Sequence, residues 1–329
     1  MQAPGPIRFL ITGMVAAASA LSAHSQELPL DVQRSWQPSA VSENCVRRTV
    51  ACVAVDNTVK EVPDSDMVRR RNLGIIVGSA AAVGLYGRQK WWQEGFGSSL
   101  RTVDEGWFGQ NTYSGGADKL GHFFMNYAGT RLMRKAFVWA GNDTETALAL
   151  AAWTTLGIFT GIELLDGFSR QWRFSKEDAL MNAAGTGAAL LFERNPALDR
   201  LFDIRLLYRP SQEGGRQFNP FGDYSGQTYL LVTKASGVDA LRSHPVLRYL
   251  EFAVGYKARG YSDQAGKLVR AGTREVYVGV SLNVAELLGQ TVFKHSNGHG
   301  RAQAFSDTAL EYLQIPGTAV MGSHRLGRQ

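Results

Sequence analysis

Three charge-free segments most constrain how this 329-residue chain can fold. Residues 72–87 carry no charge and are closed by Arg71 and Arg88. A second segment, 146–162, lies between Glu145 and Glu163, and a third, 179–192, between Asp178 and Glu193. Each is shorter than the roughly 20 residues of a relaxed membrane span, yet too apolar for a surface loop. They predict short apolar helices packed against one another. Small residues spaced by four, Gly74, Gly78 and Ala82, then Gly185 and Ala189, suit close helix contact. Two settings remain open at this level: a soluble bundle, or a bundle inserted in a membrane with Trp91, Trp92 and flanking Arg and Lys at the interface. The mean hydropathy of −0.16 excludes a polytopic transporter. Hydrophobic residues at 44% with 16 Phe, 11 Tyr and 7 Trp exclude a disordered chain.

After about Asp199 the pattern changes to alternation. In 274–284, Val276, Val278, Val280, Leu282 and Val284 fall on one face at period two, which predicts a half-buried strand. Weaker strand candidates are 204–209, 227–233, 247–257 and 310–315, separated by turn-rich text such as Asn219-Pro220-Phe221-Gly222-Asp223. About five strands are too few for a single-chain outer-membrane barrel. The expected fold class is therefore α+β, a compact helical bundle of short apolar helices followed by a small antiparallel β-sheet. The expected divisions are a signal peptide over 1–25, an N-terminal arm over 26–70, a helical domain over 71–200 and a β-rich region over 201–329.

The first segment reads as an export signal. Arg8 is the only formal charge before Glu27 and precedes an apolar run of about a dozen residues. Cleavage after Ser25 is preferred, and the earlier Ala18-Ser19-Ala20 pattern stays open. An exported chain points to the bacterial cell envelope, periplasmic or membrane-associated. In that compartment the only two cysteines, Cys45 and Cys52, are candidates for one small disulfide loop. The net charge of +6 becomes +5 without Arg8, a mild bias toward anionic surfaces that makes membrane or envelope lipid the expected partner. It is too weak to imply nucleic acid.

Charged residues that interrupt apolar helices carry the functional signal. Asp118 and His122 lie four apart with Lys119 between them, so that Asp118 and His122 share one helix face. Glu163 and Asp166 follow the second charge-free run, and Arg173, Ser175, Asp178 and Asn182 lie at the start of the third helix. Ser175 with Asp178 forms a helix-start capping pattern. Such a set can be structural, with Asp118 and Ser175 capping helices and Lys119 or Arg173 neutralising buried carboxylates. It can also bind phosphate or glycan groups, or perform proton transfer. A divalent metal is a possible cofactor, with His122, Glu163 and Asp166 as ligands and Asp178 as acid or base. That alternative function is a metal-assisted hydrolase acting on lipid or cell-wall intermediates. His295 and His299 are read instead as polar surface in a Gly-flanked loop.

The order Asp118-Lys119-x-x-His122, Glu163-x-x-Asp166, then Ser175-x-x-Asp178-x-x-x-Asn182-x-x-Gly185 resembles the YfiM-like family of predicted periplasmic lipoproteins, a domain of unknown function. It is also similar to the VanZ-like membrane family, where a related order occurs on membrane helices. The resemblance runs from about Trp91 to Leu191, and the later text from Asp223 to Tyr229 is similar to longer, sheet-bearing members of the first family. The chain departs from the lipoprotein pattern because no Cys lies near either cleavage site to carry a lipid. The resemblance implies an envelope location and supplies no reaction.

Overall fold

The computed structural model describes residues 64–216, 218–264, 267–270, 272–294 and 300–327. The segment read as an export signal, Cys45, Cys52, His295 and His299 lie outside the described residues. The chain divides into two units, Met1–Gly74 and Ile75–Gln329.

The helical part of the second unit opens with α1 (Ser65–Lys90), which enters this unit at Ile75. A loop containing the two-residue β1 (Thr102–Val103) leads to α2 (Ala117–Ala140), α3 (Thr144–Phe168), the two-residue β2 (Phe174–Ser175) and α4 (Lys176–Arg194). Asp143 caps α3, its carboxylate accepting the N–H groups of Glu145 and Thr146 at 3.0 Å, as an aspartate N-cap should. Gly141, at φ 112°, ends α2 in a left-handed conformation that a glycine adopts without strain. Helices α2 and α4 cross closely where the sequence places Gly185. A Cβ there would meet the Phe123 carbonyl oxygen at 2.1 Å, so only glycine fits. Gly78, read as a similar contact, has nothing within 4 Å of such a Cβ and marks no close crossing.

The sheet part begins after a short α5 (Pro196–Leu201) with β3 (Phe202–Tyr208) and β4 (Gln227–Lys234), and a one-turn α6 (Asp239–Arg242) precedes β5 (Leu250–Arg259). A ribbon of β6 (Ser262–Gln264) and β7 (Lys267–Arg270) extends the hairpin to β8 (Thr273–Leu282). Then come α7 (Val284–Gln290), α8 (Arg301–Tyr312) and β9 (Ala319–Arg325). The main sheet has the order β3-β4-β5-β8-β9, every neighbour antiparallel. The fold is thus α+β, helices followed by a five-stranded antiparallel sheet. One core lies between the two parts, where Phe124, Tyr127, Ala189 and Phe192 of α2 and α4 pack on Leu206, Tyr229 and Tyr312.

Three strand readings need correction. Residues 310–315 are not a strand: 310–312 end α8, whose Tyr312 is buried in the core beside Leu206 of β3, and that packing outweighs the local alternation of Leu310, Tyr312 and Gln314. Residues 247–249 form a 3-10 turn before β5, and Val284 opens α7 because the Asn283 side chain caps that helix through the Glu286 N–H at 2.9 Å. β9 went unread.

Among the described residues one helix, α3, is long and apolar enough to cross a membrane. Half of its most apolar stretch is buried inside the fold.

Candidate functional site

The cluster is assembled at helix ends. Ser114, Gly115 and Gly116 all have positive φ in the tight turn that starts α2. A Cβ at Gly116 would meet the Trp107 carbonyl oxygen at 2.7 Å, so this turn folds tightly against the preceding loop. That loop carries Glu105, whose carbonyl accepts the Tyr113 N–H at 3.0 Å. Asp118 therefore sits in the first turn of α2 and Asp178 in the first turn of α4, where unsatisfied N–H groups favour a carboxylate. Ser175 caps α4 as the sequence indicates, its Oγ accepting the Asp178 N–H at 3.2 Å.

Lys119 is the centre. Its side chain is fully buried, and Nζ lies 2.7 Å from Asp178 Oδ1 and 3.0 Å from Asp118 Oδ2 while also donating to Glu105 Oε2. His122 forms the second layer: Nδ1 is 3.0 Å from Asn182 Oδ1 and 3.5 Å from Glu163 Oε1, and Nε2 is 3.7 Å from Asp118 Oδ1. Asn126, one turn beyond His122, donates to Asn182 Oδ1 at 2.6 Å. Glu163 reaches the α4 entry by accepting the Ser175 N–H at 3.4 Å. Asp166 accepts the Trp92 indole N–H at 2.5 Å, and Arg173 is part-exposed ahead of β2. The Tyr224 hydroxyl, from the loop before β4, donates to Asp118 Oδ1.

Sequence reasoning thus placed Asp118, Lys119, His122, Glu163, Ser175, Asp178 and Asn182, which the fold brings together. It missed Glu105, Asn126, Trp92 and Tyr224. Only Asn126 carried a usable signal, its position four residues after His122 on the same face. Among the described residues, the group whose ligand atoms lie within 4.8 Å of one another is Asp118, His122 and Asp178, a different set from His122, Glu163 and Asp166.

Burial and mutual charge displace the titrations. Burial alone would raise Asp118, but the Lys119 and His122 cations and the Tyr224 hydrogen bond outweigh it and hold the carboxyl at about 2. Burial disfavours the His122 imidazolium, yet Asp178, Asp118 and Glu163 raise it to about 9. Burial, reinforced by repulsion from Asp118, pushes Glu105 up to about 8. Burial likewise raises Asp166 to about 7, Asp178 above its ordinary range and Glu163 well above it.

The pH dependence follows. His122, raised from 6.5 to about 9, contributes stability that is fully present below pH 6.5 and lost as pH rises through 9. Asp166 and Glu105 are favoured neutral by the fold, so stability also falls as pH climbs from 3.8 to about 7 and from 4.5 to about 8. Asp118 acts oppositely: its contribution is present above pH 3.8 and lost as pH falls through about 2. The melting midpoint is expected to peak at about pH 4 and fall steadily toward pH 9. A midpoint that rises between pH 5 and 8 would contradict this electrostatic picture.

No curated protein and no solved structure matches the chain. The resemblance to the VanZ-like family is not among what the comparisons show. Residues 104–194, which hold the whole helical part of the cluster, match the model of a family described as "predicted periplasmic lipoprotein (DUF2279)", a similarity over under a third of the chain that agrees with an exported cell-envelope protein.

Proposed function

We propose that this is a membrane-associated envelope protein whose buried cluster is an ionic staple that sets the helical part rather than a reaction centre. The observation that carries the reading is Lys119, a fully buried ammonium already held by Glu105, Asp118 and Asp178. It stands between the two aspartates where an added ligand would have to bind. The Lys119 ammonium already lies against three carboxyl groups that occupy the place an anion would take, so the cluster as it stands is a poor receptor for an anionic envelope component.

Association with lipid is supported by the outer helix faces. On α3 the exposed positions between Glu145 and Glu163 include Trp153, and on α4 those between Asp178 and Glu193 include Leu180 and Leu191. An uncharged exterior with an exposed Trp over an ionised interior suits the headgroup boundary of a membrane. In fractionated envelopes the chain is expected to sediment with membranes and to be released by alkaline carbonate. Recovery in the soluble periplasmic fraction would overturn the membrane part, and resistance to carbonate would overturn its peripheral character.

A divalent cation is the second reading, favoured by the mutual approach of Asp118, His122 and Asp178. It supplies the donor types of a metal centre, and it requires the Lys119 ammonium to give way.

A further inference from the structure

Among the described residues, the sheet of this protein is apolar on a face that the helices leave largely open. Across it, Leu231, Val254 and Val278 form one row in direct register, and Phe252, Val280 and Val320 form the next, with the Leu250–Leu282 pair beyond them. Each of these side chains is 37% to 85% exposed. An antiparallel sheet with one wet face ordinarily alternates apolar inward with polar outward. Here the other face holds Leu230, Val232 and Ala253 at 0% to 1% exposure, together with the buried charges of Arg205, Asp203 and Glu251. The helices cover only the end of the open face marked by Leu206 and Tyr229.

We propose that two copies of this chain pack face to face through these rows. The exposed area of the eight side chains is on the order of 700 Å2, above the patch a typical monomer leaves to water. Doubled in a two-fold pair, it comes to about 1,400 Å2, within the roughly 1,200 to 2,000 Å2 of a standard stable interface. The rows carry no charge, so a two-fold axis through them brings no like charges together, and rows of Val, Leu and Phe are what the inner faces of a β-sandwich use. Lipid fits less well. The sheet ends in β9, whose outer edge pairs with no strand among the described residues, and open sheet edges are not tolerated in hydrocarbon. A face-to-face partner covers the rows and leaves that edge in water. The inference uses none of the helix surface on which the membrane reading rests.

A photo-activated benzophenone amino acid at position 280 of the full chain, irradiated in intact envelopes, tests this. The expected product has twice the chain mass and contains peptides of this chain alone. Adding Phe252→Lys is expected to cut its yield about tenfold, because a charge would be forced into an apolar contact. The same probe at position 246, exposed but outside the rows, is expected to give no such product. Val278→Thr in place of Phe252→Lys gives a milder variant of nearly unchanged shape should the lysine prevent folding, and the yield from position 280 is expected to fall as well. Adducts to phospholipid, adducts to a different protein, or equal dimer yield from position 246 would each overturn the proposal. The fractionation test can fail without touching this one, since a soluble protein can still form the pair.

Discussion

Replacing Lys119 with Met is expected to cost about 3 to 5 kcal/mol of stability, enough to lower the melting midpoint by roughly 10 °C or to abolish soluble expression. The size follows from what is left behind. Met fills the same volume, but Asp118 and Asp178 lose the ammonium at 3.0 and 2.7 Å, and Glu105 loses its partner, all without access to water. Two further results separate the staple from a metal centre. If the ammonium is a staple, Asp178→Asn in the Lys119→Met background restores part of the loss by removing one stranded charge, and acid pH does the same by protonating Asp178. If the ammonium merely holds a place for a cation, Mn2+ or Zn2+ restores the variant's midpoint more than Asp178→Asn does, and the staple reading falls.

Gly185→Ala is expected to lower stability by about 3 kcal/mol, at the upper end for a single added methyl group. An alanine ordinarily stabilises a helix by about 1 kcal/mol relative to glycine, so the loss must come from the neighbour. That neighbour is backbone: the new Cβ would lie 2.1 Å from the Phe123 carbonyl oxygen, and α2 cannot yield by rotating a side chain. The shift would also part Asn182 from His122 and Asn126, one turn away on α4. Gly187→Ala on the same helix has nothing within 4 Å and is expected to leave the midpoint unchanged or raise it. Thermal melts of the two variants beside the unaltered chain decide the matter, and equal midpoints would remove the close crossing.

The sequence shows much of this site because charges inside apolar helices are costly, and a chain keeps them only where they have partners. Asp118, His122, Asp178 and Asn182 stand out for that reason, and the four-residue spacings place them on helix faces. Glu105 does not stand out, since it lies in a loop without period where any acidic residue would look solvated. Tyr224 is separated from Asp118 by 106 residues, and nothing local marks a tyrosine that will reach across a fold. The sheet was legible where one face is regularly apolar, as in β8. β9 was not, because Gly322, Ser323 and His324 give its exposed residues no apolar rhythm. Its existence is decided by pairing with β8, from Glu275 opposite Arg325 to Ser281 opposite Ala319.

The hydrogen bond from Tyr224 to Asp118 bears on the order in which the molecule can be completed. A chain grows from its first residue, so Asp118, Lys119 and His122 exist before the segment that brings Tyr224 is made. Through that interval the carboxylates have their ammonium but lack the hydroxyl that closes Asp118 off. The helical part is then a half-finished object, exposing Phe124, Tyr127 and Phe192 until β3 and β4 cover them. Until its second half has arrived, those apolar side chains are open to association with any other exposed apolar surface.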